Sequence, residues 1–168
     1  EIETADFVLG AVAWIKKDEV ISALSKKNNV FIIVDKAPIF NANTSGLNHN
    51  QLKERTKLIE AYKNLKCNLN PYQFDNLLNK LSEDCHPKID PIKCVGKEKC
   101  EGSYSLMHNK FLIFAKTENQ CVEVNGNNFC MEMIKPYAVW TGSFNFTYNA
   151  TQSLENALII TDEEIVNA

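Results

Sequence analysis

The first third of the chain sets the strongest limit on the fold, because two apolar runs flank a segment with helical periodicity. Residues 7–14 read FVLGAVAW and residues 30–34 read VFIIV. Continuous apolar runs of this length are typical of strands buried on both faces of a sheet. Apolar side chains recur at helical spacing within the intervening residues 17–27, at Val20, Ile21, Ala23 and Leu24. The order predicts a βαβ unit with a right-handed crossover and parallel pairing.

The rest of the chain adds further helices, an irregular segment and a hairpin. Residues 50–66 and 71–83 carry apolar stripes typical of helices, whereas residues 84–102 contain three cysteines and two prolines and are predicted to be irregular. In residues 116–137, an Asn-Gly pair between alternating segments predicts a β-hairpin insertion, with Cys121 and Cys130 close together. This hairpin is interpreted as a surface elaboration, with shielding of a site or extension of a dimer edge as alternatives.

Composition limits the number of domains and the kinds of partner. A chain of 168 residues with 45% hydrophobic residues can form one well-packed domain, so residues 1–168 are predicted to be a single unit. There is no apolar run of about 18 residues, so no transmembrane helix is predicted. The formal net charge of -3 gives no global attraction to nucleic acid or anionic lipid. Recognition of either would have to depend on local groups.

The residues with the clearest chemistry lie in the last third of the chain. His108 and Lys110 are two apart in a predicted strand, so alternation places an imidazole and an ammonium on the same face. Ser143 and Asn145 repeat this spacing after a second predicted strand and add neutral hydrogen-bonding groups. Glu155 follows, and it is predicted to orient the histidine by accepting from its second ring nitrogen. Such groups suit the charged oxygens of a phosphodiester.

Three ordered pieces of this sequence resemble the phospholipase D superfamily. They are His108-Asn-Lys110, Gly142-Ser143-Phe-Asn145 and Glu155, and the superfamily motif is His-x-Lys-x4-Asp, then Gly-Ser-x-Asn and a downstream Glu. The resemblance implies an α/β domain with a mixed, largely parallel sheet flanked by helices. It also implies metal-independent phosphodiester cleavage through a phosphohistidine, without a catalytic cofactor. These five residues (His108, Lys110, Ser143, Asn145 and Glu155) are then the catalytic candidates.

The chain carries the full set of motif pieces once, although His86-Pro-Lys88 repeats the bare His-x-Lys spacing. By resemblance, members with one copy form homodimers in which two copies face each other and build one site. The substrate is expected to be DNA or RNA, since no amphipathic or basic membrane anchor is evident. A cardiolipin-type phospholipid is the alternative substrate.

One position departs from the motif. The residue five beyond Lys110, where the superfamily has Asp, is Ala115. In the family this Asp is thought to support the loop and neighbouring groups rather than attack phosphorus. The departure leaves open a second interpretation, a catalytically weakened module that binds phosphate or nucleic acid.

The cysteine-rich segment suggests a structural metal site that is separate from catalysis. Cys85, His86, Cys94 and Cys100 offer three thiolates and one imidazole for tetrahedral zinc, and Cys67 is an alternative to the histidine. Disulfides and unlinked thiols are the other interpretations. Asn145 begins a glycosylation sequon, and a glycan there would block the site. A cytoplasmic location is therefore favoured, with a bacterial periplasm as the alternative.

Two further side chains have both a structural and a functional interpretation. Trp14 ends the first predicted strand near the edge where ligands bind in α/β sheets, so it is either a core aromatic or a surface on which a base stacks. His49 lies in an Asn-rich loop and is interpreted as a solvent-facing or helix-capping residue rather than a catalytic one.

Overall fold

The computed structural model describes residues 1–36, 40, 43–68, 91–95 and 107–167. Its strands are β1 (Phe7–Val12), β2 (Asn29–Asp35), β3 (Ile92–Val95), β4 (Lys110–Val124), β5 (Asn127–Gly142) and β6 (Ala157–Ile160). Its helices are α1 (Asp18–Ser25), α2 (His49–Lys63), a 3-10 turn (Asn149–Gln152) and α3 (Glu163–Val166). In this part of the chain the strands form one sheet in the order β3-β2-β1-β4-β5-β6.

The sheet is mixed, and the predicted βαβ unit lies on one side of it. β1 pairs in parallel with β2, and β2 in parallel with β3. The pairs β1–β4, β4–β5 and β5–β6 are antiparallel. The predicted α/β fold is confirmed, but the parallel share among the described strands is smaller than predicted. The reason is that β4 and β5 form one long hairpin, to which β6 returns.

The core lies between one face of the sheet and the helices α1 and α2. The register pairs Val8 with Val30 and with Phe114, so side chains of three strands stack on this face. Tyr62 of α2 is almost fully buried among them, and its hydroxyl donates to the carbonyl of Ile15, just after β1. Burial raises the pKa of the Tyr62 phenol, so it remains a neutral donor. This contact ties α2 to the end of β1.

The predicted α2 helix is confirmed, and its start is set by a capping box. The Asn48 side chain accepts from the Gln51 backbone N–H, and the Gln51 side chain accepts from the Asn48 N–H. His49 is exposed as the first helical residue, in agreement with its assignment to a helix start. Residues 71–83 lie outside the described residues.

The hairpin prediction is also confirmed, although its strands are continuations of β4 and β5 rather than a separate insertion. Asn125 and Gly126 have φ of 53° and 76°, the left-handed conformation that a tight hairpin turn of this type requires. A disulfide joins Cys121 and Cys130 across the two strands. The tip is 14 residues from Lys110, or roughly 45 Å at the rise of a strand, so the hairpin extends away from this lysine and does not shield it.

The cysteine-rich segment contains a strand where irregular structure was expected. Residues 92–95 form β3, because Ile92 and Cys94 are buried against the core face of the sheet. Cys85, His86 and Cys100 lie outside the described residues, so the zinc site stays a prediction. No helix in the described ranges is both long enough and apolar enough to cross a membrane.

Candidate active site

Four of the candidate residues lie where β4 begins and β5 ends. The antiparallel register pairs Phe111 with Thr141, which brings the start of β4 next to the turn that follows Gly142. The Thr141 hydroxyl donates to the carbonyl of Lys110 at 3.1 Å. A side chain on Gly142 would clash, since a Cβ there would lie 2.3 Å from the Asn156 carbonyl oxygen. The glycine therefore lets the Glu155-Asn156 segment approach this end of the sheet.

The alternation of side chains predicts that His108 lies within β4, but His108 precedes this strand. The strand begins at Lys110, and His108 is exposed. Its backbone is nevertheless fixed on both sides. Asp35, buried at the end of β2, accepts from the Met107 N–H at 3.0 Å, and the Asn109 carbonyl accepts from the Ala13 N–H at 3.1 Å. The imidazole is thus presented to solvent from a well-held segment.

Asp35 is a site residue that sequence reasoning missed. Its only signal was an acidic residue at the end of a buried apolar strand, where a carboxylate needs a specific partner. The structure supplies that partner as the backbone immediately before His108. Asp35 therefore acts on the position of the histidine.

Lys110 places a positive charge inside the site. Its side chain is only 6% exposed, and its Nζ donates to the His108 carbonyl at 2.9 Å. Burial lowers the pKa of Lys110 below its ordinary value, because desolvation disfavours the ammonium; the nearby Glu155 carboxylate opposes this shift by attraction. A poorly solvated cation of this kind binds an anion more strongly than a solvated one does.

Ser143, Glu155 and Asn156 form a compact hydrogen-bonded group. The Ser143 hydroxyl donates to the Glu155 carboxylate, and the Asn156 N–H donates to the Ser143 Oγ at 3.1 Å. The Ser143 N–H is shared between the Asn156 carbonyl and its side-chain Oδ1, both at 3.0 Å. Glu155 thus binds Ser143 here, and its predicted contact with His108 stays a prediction. Asn156 had no distinguishing signal in the sequence.

Asn145 lies in the wall of a cavity that Glu155 also lines. Its Oδ1 is buried and has no hydrogen-bond partner among the described residues, and the same holds for the Nε1 of Trp14. The two residues are held together through the backbone, since the Phe146 N–H donates to the Trp14 carbonyl at 3.0 Å. The cavity has a volume of 720 Å³ and is lined by Trp14, Lys16, Glu54, Asn145, Thr147, Tyr148, Asn149, Ala150, Ser153 and Glu155.

Ala115, the departure from the motif, lies away from these groups. β4 pairs regularly with β1 from Lys110 to Ala115. Ala115 is five positions further along the strand than Lys110, an odd number, so the two side chains point to opposite faces. The rise of a strand puts them roughly 16 Å apart. Ala115 is fully buried opposite Phe7. The missing carboxylate therefore does not remove a group from the immediate surroundings of His108.

Restoring the motif with Ala115→Asp is expected to destabilise the fold without raising activity. The new carboxylate would be buried in a strand pair that offers it no counter-charge at this position, and burial of an unpaired charge destabilises by about 3 kcal/mol or more. Urea unfolding and a phosphodiester assay on the same preparation would measure both effects. Ala115→Ser is the matched control. A clear gain in turnover with Ala115→Asp would contradict this account.

The described residues do not group three His, Cys, Asp or Glu side chains closely enough to hold a metal ion. The site has a cation of its own, Lys110, next to neutral hydrogen-bonding groups and one carboxylate. This combination can bind an anion with tetrahedral oxygens, and it has an exposed imidazole beside it.

The chain is similar to several known proteins. Residues 11–168 match the family model described as "Cardiolipin synthase, PLD-like domain", a range that includes all five catalytic candidates. Uncharacterized protein L381 of Acanthamoeba polyphaga mimivirus is 30% identical over 185 residues, which cover 98% of this chain and 55% of that protein. The chain thus spans about half the length of this relative. NucT from Helicobacter pylori superposes with a TM-score of 0.47 at 17% identity, over 99% of this chain and 76% of that one.

Proposed function

Since this chain belongs to the PLD-like domain family of the phospholipase D superfamily, we propose that it is a metal-independent phosphodiesterase that cleaves DNA or RNA. Family membership supports phosphodiester chemistry in general. The nucleic acid substrate, the covalent intermediate and the two-copy site are the specific parts of the proposal.

The buried Lys110 ammonium beside the exposed His108 is the observation that carries the proposal. The Glu155 carboxylate offsets the desolvation of this cation only in part, so a further anion would stabilise it, and a phosphodiester is an anion that a histidine can attack. The Asn145 amide adds a neutral donor for the non-bridging oxygens, and the Ser143 hydroxyl adds a second one when it turns away from Glu155, to which it donates in the free protein. These groups supply the charge stabilisation that a metal ion supplies in other nucleases.

The proposed reaction has two displacement steps. A ring nitrogen of His108 attacks phosphorus, the bond to the leaving oxygen breaks, and His108 of a second copy gives that oxygen a proton. The second histidine then takes a proton from water, whose oxygen attacks the phosphohistidine. The P–N bond breaks and its electron pair returns to the first histidine. Lys110, Ser143 and Asn145 stabilise the oxygens in both steps.

The second copy needs a surface on which to dock, and an exposed apolar region lies next to Glu155. Leu154 is fully exposed, and Leu158 and Ile159 of β6 are more than half exposed on opposite faces of the strand. Within the described sheet, β6 pairs with β5 alone. A second copy that docks at this edge would bury these side chains. In a longer chain, a further domain is the alternative source of the second half-site.

A cardiolipin-type phospholipid is the second candidate substrate, because the description of the matching family model names cardiolipin synthase. Its reaction at phosphorus would be the same. The cavity beside Asn145 has polar and apolar lining in similar amounts, which suits a nucleobase, with apolar faces and polar edges, better than an acyl chain. A weakened binding module is the third interpretation, and it predicts binding without turnover.

Cleavage in the presence of EDTA tests the proposal. Supercoiled plasmid, single-stranded RNA and cardiolipin vesicles are incubated with the protein and chelator, and products are followed on gels and by thin-layer chromatography. The proposal expects nicking or RNA cleavage that persists in EDTA. Products from vesicles alone would favour the phospholipase, and binding of nucleic acid without any product would favour the module.

A further inference from the structure

We propose that the 720 Å³ cavity beside Asn145, called here the base cavity, binds an unpaired nucleobase next to the scissile phosphate. The enzyme would then prefer single-stranded over duplex nucleic acid. The inference rests on the proposed phosphodiesterase function and adds the part of the substrate that the phosphate-binding residues do not contact.

The base cavity shares its wall with the active site. Asn145 and Glu155 line it, and Glu155 in turn binds Ser143. The part of the substrate that enters the cavity is therefore a neighbour of the phosphate in the active site. The volume falls within the range of ordinary small-ligand pockets, which accommodates a ring system the size of a base.

Two buried polar atoms in the cavity residues lack partners. The Trp14 Nε1 is a donor and the Asn145 Oδ1 is an acceptor, and neither has a hydrogen bond within the described part of the chain. Most buried polar atoms in proteins are satisfied, so leaving these two without partners is unfavourable; both are closed to solvent, and a base would supply the missing bonds once a small shift of the wall exposes them. The edges of nucleobases carry donors and acceptors side by side, whereas an acyl chain carries neither.

An exposed aromatic ring stands in the same wall. Tyr148 follows the turn after Asn145, is 77% exposed and lines the cavity. Single-stranded nucleic acids bind to such rings by stacking, which tolerates any base. The structure thus combines a stacking surface with buried hydrogen-bonding groups, as base recognition requires.

The charges of the lining suit a neutral group better than a second phosphate. Lys16 and Glu54 form an ion pair at 3.0 Å and largely compensate each other. The remaining charged side chain of the lining is Glu155, which is negative. A nucleobase is neutral, so it enters without electrostatic repulsion, whereas a further phosphate would be repelled.

The single-strand preference follows from the shape. A base in a duplex is paired and stacked, and it enters a cavity only after it has been flipped out at a cost in free energy. A base in a single strand has already lost its partner. Stacking on Tyr148 tolerates any base, whereas the Trp14 donor and the Asn145 acceptor favour bases whose edge offers the complementary groups.

Binding measurements test this inference independently of catalysis. The full-length chain carrying His108→Ala keeps its substrates intact, and fluorescence anisotropy is recorded in EDTA with a labelled single strand, the same strand made abasic throughout, and the duplex. The single strand is expected to bind at least about tenfold more tightly than the abasic strand or the duplex. This factor corresponds to the free energy of one stacked base. Tyr148→Ala should remove about this factor for the single strand and leave the abasic strand unchanged.

Phe129→Ala is the matched control, since Phe129 is 61% exposed but lies in the hairpin near its tip. Trp14→Phe keeps an aromatic ring and removes the donor, so it should weaken binding of the base-containing strand alone. Equal binding of normal and abasic strands, or an equal loss with Phe129→Ala, would overturn the proposal. Failure of the wild type to cleave any phosphodiester, including bis(p-nitrophenyl) phosphate, would instead count against the proposed function.

Discussion

The variant His108→Ala is expected to lose turnover by about 10⁴-fold or more, while it retains its fold and its affinity for nucleic acid. Deletion of a nucleophile in a covalent mechanism has effects on this scale. The imidazole is exposed, and the contacts that hold this segment involve the backbone of Met107, His108 and Asn109, so truncation at Cβ leaves them in place.

Turnover of bis(p-nitrophenyl) phosphate measures the loss, and thermal melting measured by circular dichroism checks the fold. His49→Ala is the matched control, because His49 is equally exposed but begins α2. Activity of His108→Ala within tenfold of the wild type would contradict its role as nucleophile. Equal losses in both variants would point to a general effect of the substitutions.

The variant Lys110→Met is expected to lose about 10² to 10³-fold in kcat/KM, comparable to the loss of a group that stabilises transition-state charge. Methionine keeps most of the length of the buried side chain and removes its charge. Because burial of the ammonium is unfavourable in the free protein, stability should be retained or increased, which separates this loss from unfolding. Steady-state kinetics and urea unfolding measure the two quantities.

The pH dependence provides a second test of Lys110. The charged form is required, and burial lowers the pKa of Lys110, so activity should fall with rising pH before a solvent-exposed lysine would titrate. The Glu155 carboxylate raises this pKa, so Glu155→Gln should move the alkaline limb to lower pH. A limb that does not move, or moves to higher pH, would show that another group titrates.

Much of the fold and the composition of the site could be predicted from local patterns. The apolar runs around α1 predicted β1 and β2, and Asn125-Gly126 predicted the hairpin, because these signals depend on neighbours in the sequence. Spacing alone does not specify where a strand begins, so His108 was placed in β4 although the strand starts at Lys110. The number of antiparallel strand pairs was underestimated because it depends on which strands become neighbours in the sheet, and local patterns do not contain this information.

Contacts between distant segments were not predictable from the sequence. Asp35 meets the backbone before His108 across 72 residues, and Asn156 meets Ser143 across 13. The position of Ala115 relative to the site was not predictable either. It depends on the strand register, which places Ala115 on the opposite face of β4 from Lys110. The cavity that joins Trp14 to Asn145 and Tyr148 arises in the same way, from segments that are far apart in the chain.

The central claim is that two copies of His108 complete one site, and mixed protomers test it most directly. Wild-type and His108→Ala chains are unfolded together at equal concentration and refolded, so that dimers assort at random. If both histidines are needed in one site, only dimers of two wild-type chains are active and the mixture retains about one quarter of the wild-type activity per total protein. A mixture that retains about one half would show that each chain carries a complete and independent site, which contradicts the account.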